Sequence, residues 1–282
     1  MKTINVERKN IDFSDYIKRS ALNGDVTTLI KEDCIIVVDG VPTVYYSVLP
    51  ADVLKNIRWA VKNIKYATGK RTQGLLSQSK IFGYSPRNPM RHDYCNITSM
   101  SETEGKQHAV ITEFGKVLTD HYKNYMPTSF EAHEKVVVEK VNPDWVMSGT
   151  PFTSGIVNKN NPLKYHLDSG NFKGLMSNML VLKKDVDGGY LIIPELDLAL
   201  ECPDGALVIF NGQNILHGVS PIEYTNNKAY RYSVVYYSLE QMWKCEPLDE
   251  EIARIRNVKM ERENKRLDPE HIEKLRQAVY GK

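Results

Sequence analysis

Two histidines and an aspartate carry the chemistry that is easiest to name in this chain. His166-Leu167-Asp168 is followed, in a later apolar run, by His217. Two imidazoles and one carboxylate are the ligand set of a non-haem Fe(II) centre. They occupy one face of the ion and leave three positions for a chelating cosubstrate and O2. On a strand, residues two apart point to the same side, so His166 and Asp168 can reach one ion. Arg231-Tyr232-Ser233 comes next, inside the apolar-aromatic stretch Tyr230–Ser238. A guanidinium there is costly unless paired. It meets either a protein carboxylate or the carboxylate of a ligand, which it can hold bidentately. Ser233 adds a hydroxyl on the same face. Taken singly, each feature has a plainer reading: a hydrogen-bonded histidine at a strand end, a core or turn histidine, a structural ion pair. Together they point to a metal-dependent oxygenase with an acidic cosubstrate. His92, His108, His121, His133 and His271 fall in loop or helical pattern and are expected to be structural or exposed.

The elements that must position these residues divide the chain into three stretches. To about residue 150, helices mix with a little strand. Cys34–Tyr46 reads as a hairpin around Asp39-Gly40. Leu54, Ile57, Val61 and Ile64 follow Pro50 at helical spacing, and Gln107 to Tyr125 repeats that pattern until Pro127 stops it. A third helix runs from near Ser129 to Lys140. Gly69 to Thr98, rich in Gly, Ser, Pro, Arg and Asn, reads as a long loop. From 151 to 240, eight short apolar runs alternate with turn residues. That pattern suits a jelly roll or a plain β-sandwich, and the run Lys164–Leu167 places His166 on a strand. After Pro247 the chain is highly charged and reads as surface helices, with Asp268-Pro269 as a cap and first helical position. The expected division is one catalytic domain over 1–246, helical over residues 1–150 and with its core over 151–240, followed by a helical extension over 247–282.

Composition limits the alternatives. Among 282 residues, 41% are hydrophobic and 26% charged, ordinary values for a globular chain. A formal net charge of +2 excludes a global nucleic-acid-binding field, so a DNA partner would need a local basic patch. Lys62, Lys65, Lys70, Arg71, Lys80, Arg87, Arg91 and His92 form such a concentration, with Tyr66, Phe82 and Tyr84 interleaved. Such a loop would suit backbone tracking and base stacking. No long apolar run predicts a membrane span, and the N-terminus lacks a signal-peptide core. The four cysteines include no C-x-x-C pair, which argues against structural zinc and a disulfide framework. They read as free thiols in a reducing compartment. A monomer in an intracellular setting, cytoplasmic or nuclear, is expected.

At these residues the chain resembles the double-stranded β-helix oxygenases dependent on Fe(II) and 2-oxoglutarate, and within them the TET/JBP family. His166-Leu-Asp168-Ser-Gly-Asn171 is similar to that family's His-x-Asp-x-x-Asn. Gly188-Gly-Tyr-Leu-Ile-Ile-Pro-Glu195 is similar to its Gly-Gly-x-Leu-x-x-Pro-Glu, and Arg231-x-Ser-Val-Val-Tyr-Tyr237 to its last core strand. The resemblance implies an α+β fold with a jelly-roll core, N-terminal helices and a C-terminal helical tail. It implies Fe(II) on His166, Asp168 and His217 as the catalytic centre, with O2 as oxidant and 2-oxoglutarate on Arg231 and Ser233. It also implies a pyrimidine of DNA, flipped out of the duplex, on Asn171 and Tyr237, with the 5-methyl group of 5-methylcytosine or thymine as the reacting position. Stacking of such a base is worth about 1–3 kcal/mol. Arg87 and Arg91 are assigned to substrate or cosubstrate. The family's animal members have a cysteine-rich zinc region and a His two residues beyond the stacking Tyr. This chain has neither and carries Leu239 at that position, so it looks like a minimal microbial or viral member. The alternative is a prolyl-hydroxylase-like oxygenase acting on a protein or small molecule.

Overall fold

The computed structural model describes residues 1–70, 76–88 and 93–280, without the side chains of 67–70, 76, 77, 279 and 280. The centre is a large mixed sheet. Its strand order is Lys2–Val6, Cys34–Val38, Val41–Val48, Ala206–Phe210, Ser177–Lys184, Tyr230–Tyr237, Ser154–Lys159, Leu76–Ser85 and Ala67–Lys70, with Asn96–Ile97 paired to Leu76–Ser85. A four-stranded sheet runs Gly218–Val219, Leu191–Ile193, Leu198–Leu200, Thr28–Ile30. The two sheets face each other as a jelly-roll core, and helices cover the outer face of the large one.

The period of two along the central strands builds these layers. In Tyr230–Tyr237, the residues Tyr230, Tyr232, Val234 and Tyr236 point to the helices. There they pack with Leu180, Leu182, Leu207 and Ile209 against Ile57, Val61, Ile111, Phe114, Leu118 and Tyr122. The Tyr236 hydroxyl donates to the Ile111 carbonyl at 2.7 Å, fastening sheet to helix. The opposite face sends Met179, Val181, Val208 and Phe210 against Leu191, Ile193, Leu198 and Leu200 of the smaller sheet. Each fully buried large apolar side chain contributes about 1.5–3 kcal/mol. The covering helices are Lys55–Lys62, Gly105–Tyr125 and Pro127–Lys140. Pro127 does more than stop a helix. It opens the next one, where its missing N–H and fixed φ cost nothing.

Several expectations need correction. The segment Gly69 to Thr98 contains the ten-residue strand Leu76–Ser85. Among its described side chains the one large buried residue is Phe82, which lies over its register partner Gly155, where any Cβ would overlap the ring. The remaining residues are mostly small or polar, so no apolar alternation marks the strand. The first 150 residues therefore supply much of the sheet as well as the helices. Lys164–Leu167 is not a regular strand; only an isolated bridge, His166 to His217, is formed there. Cys95 and Cys245 are disulfide-bonded, with Cα atoms 5.7 Å apart, whereas Cys34 and Cys202 are free and buried. The bonded pair is 150 residues apart in sequence. It is brought together by the return of the chain before the helix Leu248–Leu267, which no local spacing reveals. Fully buried Glu251 of that helix pairs with Arg87 and accepts the Cys95 N–H at 2.9 Å. Among the described residues no helix is long and apolar enough to cross a membrane.

His133 links this core to pH. It is wholly buried, bonded through Nε2 to the Ser238 hydroxyl at 2.8 Å, and burial pushes its pKa down to about 3. The folded protein keeps it neutral, while the unfolded chain protonates it near 6.5. Between those values only the unfolded state takes up the proton, so stability falls as pH drops from about 6.5 towards 3. The slope is about 1.4 kcal/mol per pH unit for one such group. Urea unfolding followed across that range should show this slope, and His133→Gln should remove about one proton's worth of it. An unchanged slope in the variant would sink this assignment.

Candidate metal and cosubstrate site

The two candidate ligand histidines are one hydrogen-bonded pair of an antiparallel bridge. His166 N–H donates to the His217 carbonyl at 2.9 Å, and His217 N–H donates back at 3.1 Å. This reciprocal pairing sets their Cα atoms side by side, and the ring centroids lie 4.3 Å apart. Each ring is then turned by its own backbone. His166 Nδ1 meets the Lys164 carbonyl at 2.7 Å and His217 Nδ1 meets the Ile215 carbonyl at 2.9 Å. A carbonyl only accepts, so both Nδ1 atoms carry the proton and both Nε2 atoms are left as bases. Phe210 holds His217 edge-on at 4.9 Å.

Asp168 completes the group. Its N–H donates to the Gly212 carbonyl at 2.8 Å, and its Oδ1 lies 3.6 Å from His166 Nε2 and 3.9 Å from His217 Nε2. One ligand atom from each of the three residues falls within 4.8 Å of the others. The donor chemistry fits Fe(II): two neutral imidazole nitrogens and one carboxylate, with the rest of the sphere facing open space.

That space is a cavity of about 680 Å3 between the sheets. Asn158, Ser177, Met179, Ser233, Val235 and Tyr237 line it from the large sheet, and Leu191 and Val219 from the small one. Asn171 and Leu239 belong to its wall and are themselves bridged to each other. Asn171 Nδ2 donates to the Ser177 hydroxyl at 3.2 Å, which turns its carbonyl oxygen to other partners.

Arg231 shares the face of Ser233, Val235 and Tyr237. It is 2% exposed, and its Nε and one terminal nitrogen have no hydrogen-bond partner. Among the described residues no carboxylate stands within ion-pair distance of it. A protein ion pair therefore does not account for this guanidinium, whereas an anionic ligand would. Desolvation lowers its pKa from the ordinary arginine value. Its backbone is fixed by Asn160, whose side chain accepts the Arg231 N–H at 2.8 Å and whose own N–H donates to the Arg231 carbonyl at 2.7 Å. Asn160 sits at φ 56°, a conformation asparagine tolerates better than most residues.

Arg87 stands elsewhere: its guanidinium is committed to Glu251 and it does not line the cavity. Arg91 lies outside the described residues, as do Arg71 and His92. The aromatic residues interleaved with the basic stretch face inward. Phe82 is in the core, Tyr66 stacks on Tyr232 with centroids 5.9 Å apart, and Tyr84 meets Trp145 edge-on.

The structure gives three further positions a part in the site. A Cβ on Gly212 would overlap the Asp168 carboxylate. A Cβ on Gly189 would lie 2.8 Å from Arg231 Nε. Buried Glu195 accepts the Leu216 N–H at 2.7 Å and pairs with Arg8 at 2.9 Å, steadying the segment that carries His217. In the sequence both glycines read as turn punctuation, Gly189 also within the Gly-Gly-x-Leu-x-x-Pro-Glu resemblance. Their neighbours Asn211 and Gly188 gave the same signal, so nothing marked them as spaces reserved for side chains. Gly212→Ala is expected to displace Asp168 and weaken Mn(II) binding at least tenfold, measured by equilibrium dialysis, with little change in far-UV circular dichroism. Undiminished metal binding would refute that packing role.

With the geometry in place, comparison with known proteins identifies the family. The Tet_JBP family model, described as the oxygenase domain of the 2OGFeDO superfamily, matches residues 85–240, more than half the chain. The bifunctional helicase and thymine dioxygenase JBP2 of Trypanosoma brucei brucei is 27% identical over 160 residues, covering 56% of this chain and 14% of that protein. JBP2 of Leishmania braziliensis is 26% identical over 178 residues, covering 62% and 15%. The chain thus spans only a small fraction of these relatives' length. NgTET1, solved in complex with 5mC DNA, shares the fold with a TM-score of 0.58 at 14% identity, covering 85% of this chain and 91% of that one. The chain belongs to the Tet_JBP family of Fe(II)- and 2-oxoglutarate-dependent oxygenases.

Proposed function

We propose that this oxygenase hydroxylates the 5-methyl group of a pyrimidine base in DNA, 5-methylcytosine or thymine, after the base has left the stack. The observation that carries the reading is the cavity itself. It opens on the free side of His166, Asp168 and His217, and Asn171 and Tyr237 stand on its wall. DNA as the substrate class is further supported by the relatives, a thymine dioxygenase and a protein solved with 5mC DNA.

Bound Fe(II) with 2-oxoglutarate and O2 would supply the oxidising power, through oxidative decarboxylation to succinate and CO2. The chain's own residues do the positioning. His166 and His217 present Nε2 because their Nδ1 protons are tied to backbone carbonyls. Arg231 and Ser233 hold the far carboxylate of the cosubstrate at the closed end of the strand. Asn171 offers its amide to the base edge and Tyr237 its ring to the base face. A base in a duplex cannot reach so enclosed a site, so flipping precedes reaction. Apolar Leu239 and Val235 keep the methyl group in a dry surround.

His166→Ala or Asp168→Ala is expected to abolish 2-oxoglutarate-dependent turnover; full activity in either would sink the iron assignment. Arg231→Ala should raise the 2-oxoglutarate requirement by tenfold or more while leaving metal content unchanged. The substrate is tested by incubating the protein with Fe(II), 2-oxoglutarate and DNA that carries 5-methylcytosine or only thymine, then weighing the nucleosides after digestion. A gain of one oxygen on one base is expected. No gain on any base would turn the reading towards a protein or small-molecule substrate.

A further inference from the structure

Arg231 is not the only cation on the sheet face that, farther along, lines the cavity. It pairs directly with Lys183 across the central strands Tyr230–Tyr237 and Ser177–Lys184. Directly paired residues project to the same face. Ser233 pairs with Val181 and Val235 with Met179, so this face is the one that lines the cavity. The two head groups converge on one turn. Arg231 passes over Gly189, in the space where a side chain would begin. Lys183 Nζ donates to the Gly188 carbonyl at 3.2 Å and lies 5.9 Å from the centre of the Tyr190 ring.

Like charges directly opposite on a sheet repel. Here the repulsion acts in a partly dry setting, and among the described residues neither cation has a carboxylate within ion-pair distance. Arg231 is buried with two nitrogens unpartnered. Lys183 has a backbone carbonyl and an aromatic ring, which solvate its ammonium without neutralising it. Burial first, and the nearby Arg231 charge second, hold the Lys183 ammonium below its ordinary pKa. Glu201 and Asp187 act on Lys183 only from beyond ion-pair distance, so two adjacent cations without a directly paired anion remain costly and become favourable when an anion arrives.

We propose that Lys183 is a second cation of the cosubstrate receptor, reinforcing Arg231 so that the cavity selects a 2-oxo acid with a far carboxylate. The proposal rests on the cosubstrate reading above and adds a specificity-determining residue to it. Lys183 acts on the distal end alone. It lies near the end of the strand Ser177–Lys184, beyond the cavity-lining Ser177 and Met179, so its effect belongs to cosubstrate affinity.

The test is calorimetric titration of Mn(II)-loaded protein with 2-oxoglutarate and, separately, with 2-oxopentanoate, which has a methyl group where 2-oxoglutarate has its far carboxylate. Lys183→Met should weaken 2-oxoglutarate binding about tenfold at low salt, the worth of one charge-assisted contact. Binding of 2-oxopentanoate should stay unchanged, and Lys183→Arg should restore the wild-type value to within about twofold. The ligand-free Tm of Lys183→Met should equal or exceed that of the wild type, because repulsion has been removed; a purely structural lysine would instead lower it. Equal 2-oxoglutarate affinity in wild type and Lys183→Met overturns the role of Lys183 alone, and so does an equal loss for both ligands. Wild-type protein that binds the two ligands equally well overturns the distal-carboxylate reading as a whole, Arg231 included.

Discussion

The reciprocal backbone pairing of His166 with His217 is the contact on which the site depends. Residues 160–176 contain no regular strand, so nothing else in that segment fixes the first histidine by repetition of a ladder. Two hydrogen bonds to the segment before Gly218–Val219 do so. Once they are made, each Nδ1 proton finds a carbonyl two residues back in its own chain, and both Nε2 atoms face the same space. Asp168 is then carried to the trio by one further backbone bond to Gly212. The smallness of Gly212 belongs to the same design, because the carboxylate lies where a methyl group would be.

Around this pairing the two faces of the central strands have opposite duties. The face towards the helices is tyrosine-rich, apolar and closed. The face towards the smaller sheet begins with apolar packing and becomes polar along its length, from Phe210 and Met179 to Asn158, Ser233 and Arg231. A sheet with both faces dry would be more stable. The unpaired guanidinium of Arg231 weighs against stability, since a buried charge without a partner costs free energy until a ligand supplies one. The surrounding structure offsets that cost with rigidity: Asn160 holds both backbone groups of Arg231, and Gly189 leaves room for its side chain.

The tail is attached through a different set of contacts. Glu251 gathers Arg87 and the backbone N–H groups of Cys95 and Glu246, and the Cys95–Cys245 bond joins the same two segments. This explains why Arg87, conspicuous among basic residues in the sequence, is spent on architecture. The aromatic residues near it are likewise core residues. Basic and aromatic composition in a glycine-rich stretch therefore described the underside of a strand as readily as a nucleic-acid surface.

By itself, the sequence determined the candidate metal-binding trio, the arginine of the last core strand, the jelly-roll class and the main helices. These are written in residue types whose chemistry is scarce, or in periods that burial enforces locally: the tyrosines of Tyr230–Tyr237 alternate because that strand has two different faces. Tertiary structure alone decided the rest. Leu76–Ser85 became a strand because Phe82 found Gly155, although its composition resembles a loop. Cys95 met Cys245, and Arg87 met Glu251, through a chain return that no spacing rule sees. Gly212 and Gly189 acquired their meaning from side chains distant in sequence that fill the space they leave. Lys183 became notable only when strand register set it opposite Arg231. In each case the deciding quantity is a distance between residues far apart along the chain, and such distances exist only after the sheets have closed on each other.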